Sequence, residues 1–217
     1  MYALPEQTVE EAERDLRTAI AFAPPHLSAY HLTIEPNTLF HRRPPNVPDH
    51  DAAAQIHERV EAVLDAAGYR HYETSAYAHP GREARHNLNY WQFGDYLGIG
   101  AGAHSKLSFP DRIERSMRVK LPRDYVARAS SAEVVTEQRT IAREELVFEF
   151  MMNALRLTDG VAVSMFTERT GLPITAASKP LARAEALGLI ERDALRIQPT
   201  PHGRRFLNDL LELFLPE

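Results

Sequence analysis

Two capped amphipathic helices, and the apolar runs between them, most restrict the folds open to this chain. Thr8-x-x-Glu11 is a capping box, in which each side chain satisfies the other residue's backbone N–H. Val9, Ala12, Leu16, Ala19 and Ile20 then recur at helical spacing on one face. Pro24-Pro25 predicts a stop near Phe22, because a residue before proline is pushed out of the helical region. Residues 27–34 read as a buried strand, and Glu35-Pro36-Asn37-Thr38 as the loop leaving it. Pro44, Pro45 and Pro48 mark residues 40–48 as a surface loop. A second helix starts at Asp49 or Asp51, turns Ile56, Val60, Val63 and Leu64 inward and stops at Gly68. Residues 70–77 alternate as a second strand, and residues 96–101 add a third. Helix–strand–loop–helix–strand is the order of a parallel sheet with crossover helices. A parallel barrel carries its chemistry at the carboxyl ends of its strands, here residues 33–35, 74–77 and 101–105. Three strands are too few to close a barrel, so the expectation is the second half of a partial one.

From residue 121 the character changes to helices. Leu146, Val147, Phe150, Met151, Ala154 and Leu155 form an apolar stripe. Residues 163–170 and 175–187 follow as helices around Gly171. Residues 189–191 and 195–197 pair as a hairpin across Arg192-Asp193-Ala194, and Thr200-Pro201 opens a last helix. That order is a winged-helix pattern. The expected class is therefore α/β, with residues 1–120 as the half barrel and residues 121–217 as a winged-helix-like domain. Such a domain suggests DNA, yet its second helix carries only Lys179 and Arg183 against Glu185. The chain's net charge is −5, so no overall field attracts nucleic acid, and none is expected as a partner.

The chemistry concentrates in residues 86–105. The stretch His86-Asn87-Leu88-Asn89-Tyr90-Trp91 holds the only tryptophan, and Gly98, Gly100 and Gly102 follow, ahead of His104. A glycine lacks the Cβ that blocks close approach, so the triplet points to a strand end beside a ligand or another backbone segment. Its G-x-G-x-G spacing departs from the dinucleotide fingerprint, and tight packing explains it as well. His86 and His104 each offer a ring nitrogen, and Tyr90 and Trp91 offer flat apolar faces with one polar atom each. Glu35 and Glu73 are a further pair of carboxylates, of the kind that more often forms salt bridges.

These motifs carry a resemblance. His-Asn-x-x-Tyr-Trp followed by Phe-Gly-Asp-Tyr-x-Gly-Ile-Gly-x-Gly-Ala-His resembles the HemW family of heme chaperones. That family is related to the oxygen-independent coproporphyrinogen III oxidases of the radical S-adenosylmethionine superfamily. Leu4-Pro5-x-Gln7-Thr8, residues 32–38 (Leu-Thr-Ile-Glu-Pro-Asn-Thr) and residues 72–78 (Tyr-Glu-Thr-Ser-Ala-Tyr-Ala) match in the same order. The resemblance implies a partial (β/α)6 radical S-adenosylmethionine barrel and a winged-helix-like C-terminal domain. It implies heme as a ligand, with His86 toward the iron and Tyr90 and Trp91 against the porphyrin. It places Thr33, Asn89, Gly98, Gly100, Gly102 and His104 near S-adenosylmethionine, although His104 stands where the oxidase has an aliphatic residue. Membrane hemoproteins are the implied recipients, and a homodimer is a further expectation. The alternative within this resemblance is the oxidase, an enzyme of porphyrin biosynthesis.

One feature conflicts with the resemblance. The superfamily holds a [4Fe–4S] cluster on Cys-x-x-x-Cys-x-x-Cys, and this chain of 217 residues has no cysteine. The implied register places Met1 in the middle of the family chain, after the cysteines and after an aspartate that contacts the cofactor ribose. Ala3 stands where the family usually has glycine. The chain alone is therefore expected to lack catalytic activity. No signal peptide opens it, and no apolar run approaches the roughly 20 residues that span a bilayer. The expected location is the cytoplasm, with peripheral membrane association during heme delivery.

Overall fold

In the computed structural model, which describes residues 1–216, the Thr8 capping box forms as the spacing requires. The Thr8 hydroxyl accepts from the Glu11 N–H at 3.2 Å, and Glu11 Oε2 accepts from the Thr8 N–H at 3.1 Å. Helix α1 (Val9–Ala21) follows and ends at Phe22. After β1 (His26–Ser28) and the single turn α2 (Leu39–Arg42), Asp49 caps α3 (His50–Ala66), its Oδ1 accepting from Ala52 at 2.8 Å. Helix α3 buries Ile56, Val60, Val63 and Leu64, a full turn apart on one face. Each such side chain contributes roughly 1.5–3 kcal/mol, against about 1 kcal/mol for a cap, so packing rather than capping holds the helix. These side chains share a core with Tyr2, Ala3, Ala12, Tyr69 and Tyr77.

The sheet beside this core differs from the parallel one the sequence suggests. Strand β2 (Arg70–Glu73) turns at Thr74-Ser75 into β3 (Ala76–Ala78), so the expected single strand is a hairpin. The Glu73 carboxylate accepts the Ser75 N–H at 3.3 Å inside that turn. A two-residue connection forces antiparallel pairing. The order is β1-β3-β2, with His26 opposite Ala78 and Ser28 opposite Ala76. Since β1 and β2 both run against β3, they run parallel to each other with β3 between them. The helical crossover is therefore present, with a strand inserted. Residues 29–34 are not strand; one parallel bridge, Tyr2 to His31, is all that pairs there.

By packing, the chain divides between Ala84 and Arg85. The second unit opens with α4 (Arg85–Trp91), then strands β4 (His104–Ser108) and β5 (Ile113–Arg118), helix α5 (Pro122–Arg128) and strand β6 (Val135–Thr140). These three strands form an antiparallel sheet in the order β4-β5-β6. Residues 96–101 are not a strand; Tyr96 alone bridges to Lys106, because positive φ angles at Gly100 (110°) and Gly102 (72°) turn the backbone.

Next come α6 (Leu146–Ala154), β7 (Val161–Ala162), α7 (Val163–Thr170), α8 (Ser178–Ala186), β8 (Ile190–Arg192), β9 (Arg196–Pro199), α9 (Pro201–Arg205) and α10 (Leu207–Glu212). The β8–β9 hairpin turns where the spacing places it, and the sheet order is β7-β9-β8. The last helix is interrupted at Phe206, which leaves α9 and α10 as separate turns. Phe93, Ile113 and Ile141 share one core with Phe150, Phe166, Leu181 and Leu210, so the β4–β6 sheet packs with the helices after it. No helix among the described residues is long and apolar enough to cross a membrane.

Candidate functional site

Residues 85–91 form a short helix. The helical spacing explains the sorting of their side chains. Leu88 and Trp91, three apart, pack on the core, while His86 and Tyr90, four apart, share another face. The helix closes tightly. Gln92 donates to the Leu88 carbonyl at 2.8 Å, Phe93 to Tyr90 at 2.9 Å and Gly94 to Asn89 at 2.7 Å. Phe93 takes a left-handed backbone (φ 55°), costly for a residue with a Cβ, and its ring is 1% exposed in the core. The Asn89 side chain donates to the Asp95 carbonyl at 2.9 Å, so its amide pins this turn.

His86 is exposed and makes no hydrogen bond or ion pair among the described residues. Its contact is an edge-on one with the Tyr90 ring, at 4.7 Å and 76°. Tyr90 lies in turn 4.3 Å from the Tyr96 ring. Trp91, about 100° further round the helix, faces the core instead. Its indole Nε1 is buried with no partner among the described residues, and the Arg156 guanidinium sits 5.1 Å from its ring. The expected pair of aromatic walls is therefore divided: Tyr90 flanks His86, and Trp91 anchors the helix.

Two charge clusters, built on the buried Lys106 and Glu149, brace this helix and its turn, and neither is evident in the sequence. Lys106 is 1% exposed, and its ammonium donates to the Phe93 carbonyl (3.0 Å), Asp95 Oδ1 (3.0 Å) and Ser108 Oγ (3.1 Å). It also lies 4.1 Å from the Phe93 ring centroid. Burial pulls the Lys106 pKa below the ordinary lysine value, partly offset by the Asp95 charge. For Asp95, burial raises the pKa, but hydrogen bonds from the Ser108 N–H, the Ser108 hydroxyl and Lys106 outweigh it, and the net shift is downward. In the second cluster, Arg115 bridges from Glu149 (Nη2 to Oε2, 2.5 Å) to the Tyr96 hydroxyl (Nη1, 3.2 Å). Arg139 holds the other Glu149 oxygen at 3.3 Å. A lysine and a glutamate are rarely buried, so residue type alone argues against both placements.

The glycine triplet is engaged within the fold. The Gly98 N–H donates to Ser105 Oγ (2.9 Å), that of Gly100 to the Tyr125 hydroxyl (3.2 Å) and that of Gly102 to the Val119 carbonyl (2.8 Å). A Cβ at Gly98 would strike the His104 backbone, so this glycine is required by close backbone packing. At Gly100 a Cβ would meet open space. All three amides are occupied, so they do not form an anion cradle. Leu97 and Ile99, beside them, are 71% and 85% exposed. His104 is exposed at the start of β4, opposite Met117. Thr33 belongs to the unit before Arg85, exposed in the segment after β1. In that unit Glu35 is exposed and Glu73 is 2% exposed. Among the described residues, no group of three histidine or carboxylate side chains is placed to hold a metal ion.

Residues 141–206 match the family model described as the HemN C-terminal domain. Over its whole length the chain is 49% identical to the heme chaperone HemW of Escherichia coli (strain K12), covering 57% of that protein. It is 48% identical to the heme chaperone HemW of Haemophilus influenzae, covering 56% of it. Against the Bacillus subtilis heme chaperone HemW the identity is 30%, again over the whole chain and 58% of the relative. The chain thus spans little more than half the length of these curated relatives. Among solved structures it resembles the radical SAM enzyme coproporphyrinogen III oxidase (HemN) from Escherichia coli. The TM-score is 0.74 at 19% identity, over 98% of this chain and 53% of that one. At that identity the likeness shows the fold alone.

Proposed function

Because this chain is a homologue of the HemW heme chaperones over its whole length, we propose that it forms the heme-handling portion of such a chaperone. The observation that carries this reading is the α4 face. His86 presents an imidazole with both nitrogens free of hydrogen bonds, backed edge-on by Tyr90 at 4.7 Å. A neutral imidazole is a competent axial ligand to heme iron, and a phenol ring beside it supplies an apolar flank for the porphyrin. Heme is cargo here rather than a resident cofactor. One protein imidazole is enough to hold its iron, and no multi-ligand metal site is needed.

By the resemblance, residues 1–120 correspond to the second half of a partial (β/α)6 barrel and residues 121–217 to a winged-helix-like domain, whereas by packing residues 85–120 group with the helices after them. The exposed Leu97 and Ile99 support this, as apolar side chains suited to the lining of a larger pocket. S-adenosylmethionine belongs to the complete protein in this reading. Within the second unit, the open side of Gly100 and the exposed His104 are the positions suited to contact it. Gly98, Gly102 and Asn89 act through the backbone shape they permit. A [4Fe–4S] cluster does not fit the residues present, since none supplies a thiolate. Delivery to membrane hemoproteins is the activity proposed for the complete chaperone.

Heme titration followed at the Soret band tests the reading. The chain should bind heme, and His86→Ala should weaken binding about tenfold or more, equivalent to about 1.4 kcal/mol, and shift the band. His104→Ala is the control and should leave both unchanged. If His86→Ala is silent and His104→Ala abolishes the band, the ligand lies at the glycine-rich turn instead.

A further inference from the structure

We infer that Tyr96 is a positioning residue for the His86–Tyr90 face, an inference that rests on the heme-handling reading above only for its ligand. Three independent contacts fix Tyr96. Its backbone is bonded twice to β4, its N–H to the Lys106 carbonyl at 2.9 Å and its carbonyl to the Lys106 N–H at 3.0 Å. Its hydroxyl accepts from Arg115 Nη1 at 3.2 Å, and Arg115 is itself held by the buried Glu149 carboxylate at 2.5 Å. Its ring meets Tyr90 at 4.3 Å and 51°. A line of contacts therefore runs from α6 through β5 and Tyr96 to Tyr90 and ends at the one imidazole of α4.

The outer members of this line need such support. His86 is exposed and lacks a hydrogen bond, so nothing polar selects its ring orientation. Tyr90 supplies the contact that does so, and Tyr96 restricts where the Tyr90 ring lies. A side chain aimed at a ligand is held by packing and by hydrogen bonds one layer behind it. Arg115 and Glu149 are that layer, the glutamate buried and the arginine half-buried behind Tyr96.

The test uses the 217-residue chain and has a ligand-free readout beside a heme readout. In the free protein, the His86 Hε1 resonance carries the ring current of Tyr90. Tyr96→Leu should move it toward the value of an unstructured histidine. Tyr96→Phe keeps the ring and loses the Arg115 hydrogen bond, and should move it less. With heme, Tyr96→Leu should lower affinity about two- to tenfold, the size of one aromatic contact, and alter the Soret band, while Tyr96→Phe retains most of the affinity. If Tyr96→Leu fails to fold, Tyr96→Phe and Arg115→Lys decide the matter through the same resonance. An unmoved His86 resonance in the folded variants overturns the inference. So does an unchanged Soret band in Tyr96→Leu when His86→Ala does change it. Should His86→Ala leave heme binding untouched, the heme reading fails, and the resonance alone still decides whether Tyr96 positions His86.

Discussion

The two packed units use histidine in opposite ways. In the first, four imidazoles are structural. His26 bonds the Tyr72 hydroxyl at 2.8 Å, His57 bonds the Tyr2 hydroxyl at 2.8 Å, and His79 bonds the Gly68 carbonyl at 3.0 Å while stacked on Tyr69. His71 stacks on Tyr77 and faces Glu61 at 3.3 Å. Tyr2 is held protonated far above neutrality, its pKa pushed up to about 12 by burial and by the Glu61 charge. In the second unit a buried lysine and a buried glutamate do the bracing, and the imidazole of α4 stands open. A histidine beside a tyrosine is thus common to both units. What differs is that each of those four imidazoles is engaged through a ring nitrogen, whereas neither nitrogen of His86 makes a hydrogen bond among the described residues, and an available ring nitrogen is what a metal-bearing ligand requires.

The bracing itself can be broken. Lys106→Met should lower stability by about 2–3 kcal/mol, because it strips the buried Phe93 carbonyl of its charged donor and leaves Asp95 without its cation. Urea unfolding followed by circular dichroism measures this. A loss under about 0.5 kcal/mol, the range of an ordinary surface change, would mean that the turn after α4 is held some other way.

A structural imidazole should register its loss as stability. Tyr72→Phe should cost about 1–2 kcal/mol, since it removes a hydroxyl from a buried ring and leaves His26 unpaired. His86→Ala, by contrast, should stay within about 0.5 kcal/mol of the parent. Equal losses in the two variants would erase the distinction between the units.

Ala3 offers a smaller effect of opposite sign. It is buried with φ 54°, a left-handed conformation that costs an alanine about 1–2 kcal/mol and a glycine almost nothing. Glycine loses part of that gain through the greater entropy of its unfolded chain. Ala3→Gly should therefore stabilise the first unit by about 0.5 kcal/mol, measured by the same unfolding curve. A destabilised variant would mean that the buried Cβ matters more than the backbone strain.

The smallest effect depends on pH. Burial lowers the pKa of His26 in the folded chain below its ordinary value. Between the two values the unfolded chain holds a proton that the folded chain does not. Stability is then full above the unfolded pKa, near 6.5, and is lost as pH falls through the lower folded value. His26→Phe should flatten that slope in unfolding curves taken on either side of this window. A slope left unchanged by the substitution would assign the titration to another group.

Local signals were legible in the sequence, and non-local ones were not. The Thr8 capping box, the Asp49 cap, the α6 stripe and the β8–β9 turn each depend on residues within a few positions, and each forms where the spacing puts it. The turn at Thr74-Ser75 lacks the glycine or asparagine that usually marks a hairpin, so two antiparallel strands resemble one. Residues 96–101 alternate like a strand because their glycines fall two apart, whereas the structure uses those glycines to bend the chain. Helix α4 has only seven residues, two of them asparagine, and its formation depends on Leu88 and Trp91 reaching the core. His86 and Tyr90 could be found as a motif. Arg115 and Glu149 could not be joined to them, because they lie 25 and 59 residues beyond Tyr90, far outside the reach of a local pattern.

The measurement closest to the central claim is chemical rescue of the α4 imidazole. His86→Gly removes the side chain and leaves Tyr90 in place, so free imidazole has room to occupy the vacated site. The expected result is a weakened and shifted Soret band in the variant. Added imidazole should return the band to the parent spectrum at concentrations that leave the parent protein unchanged. A variant whose heme spectrum and affinity match the parent before any imidazole is added would contradict the assignment of His86 as the heme ligand.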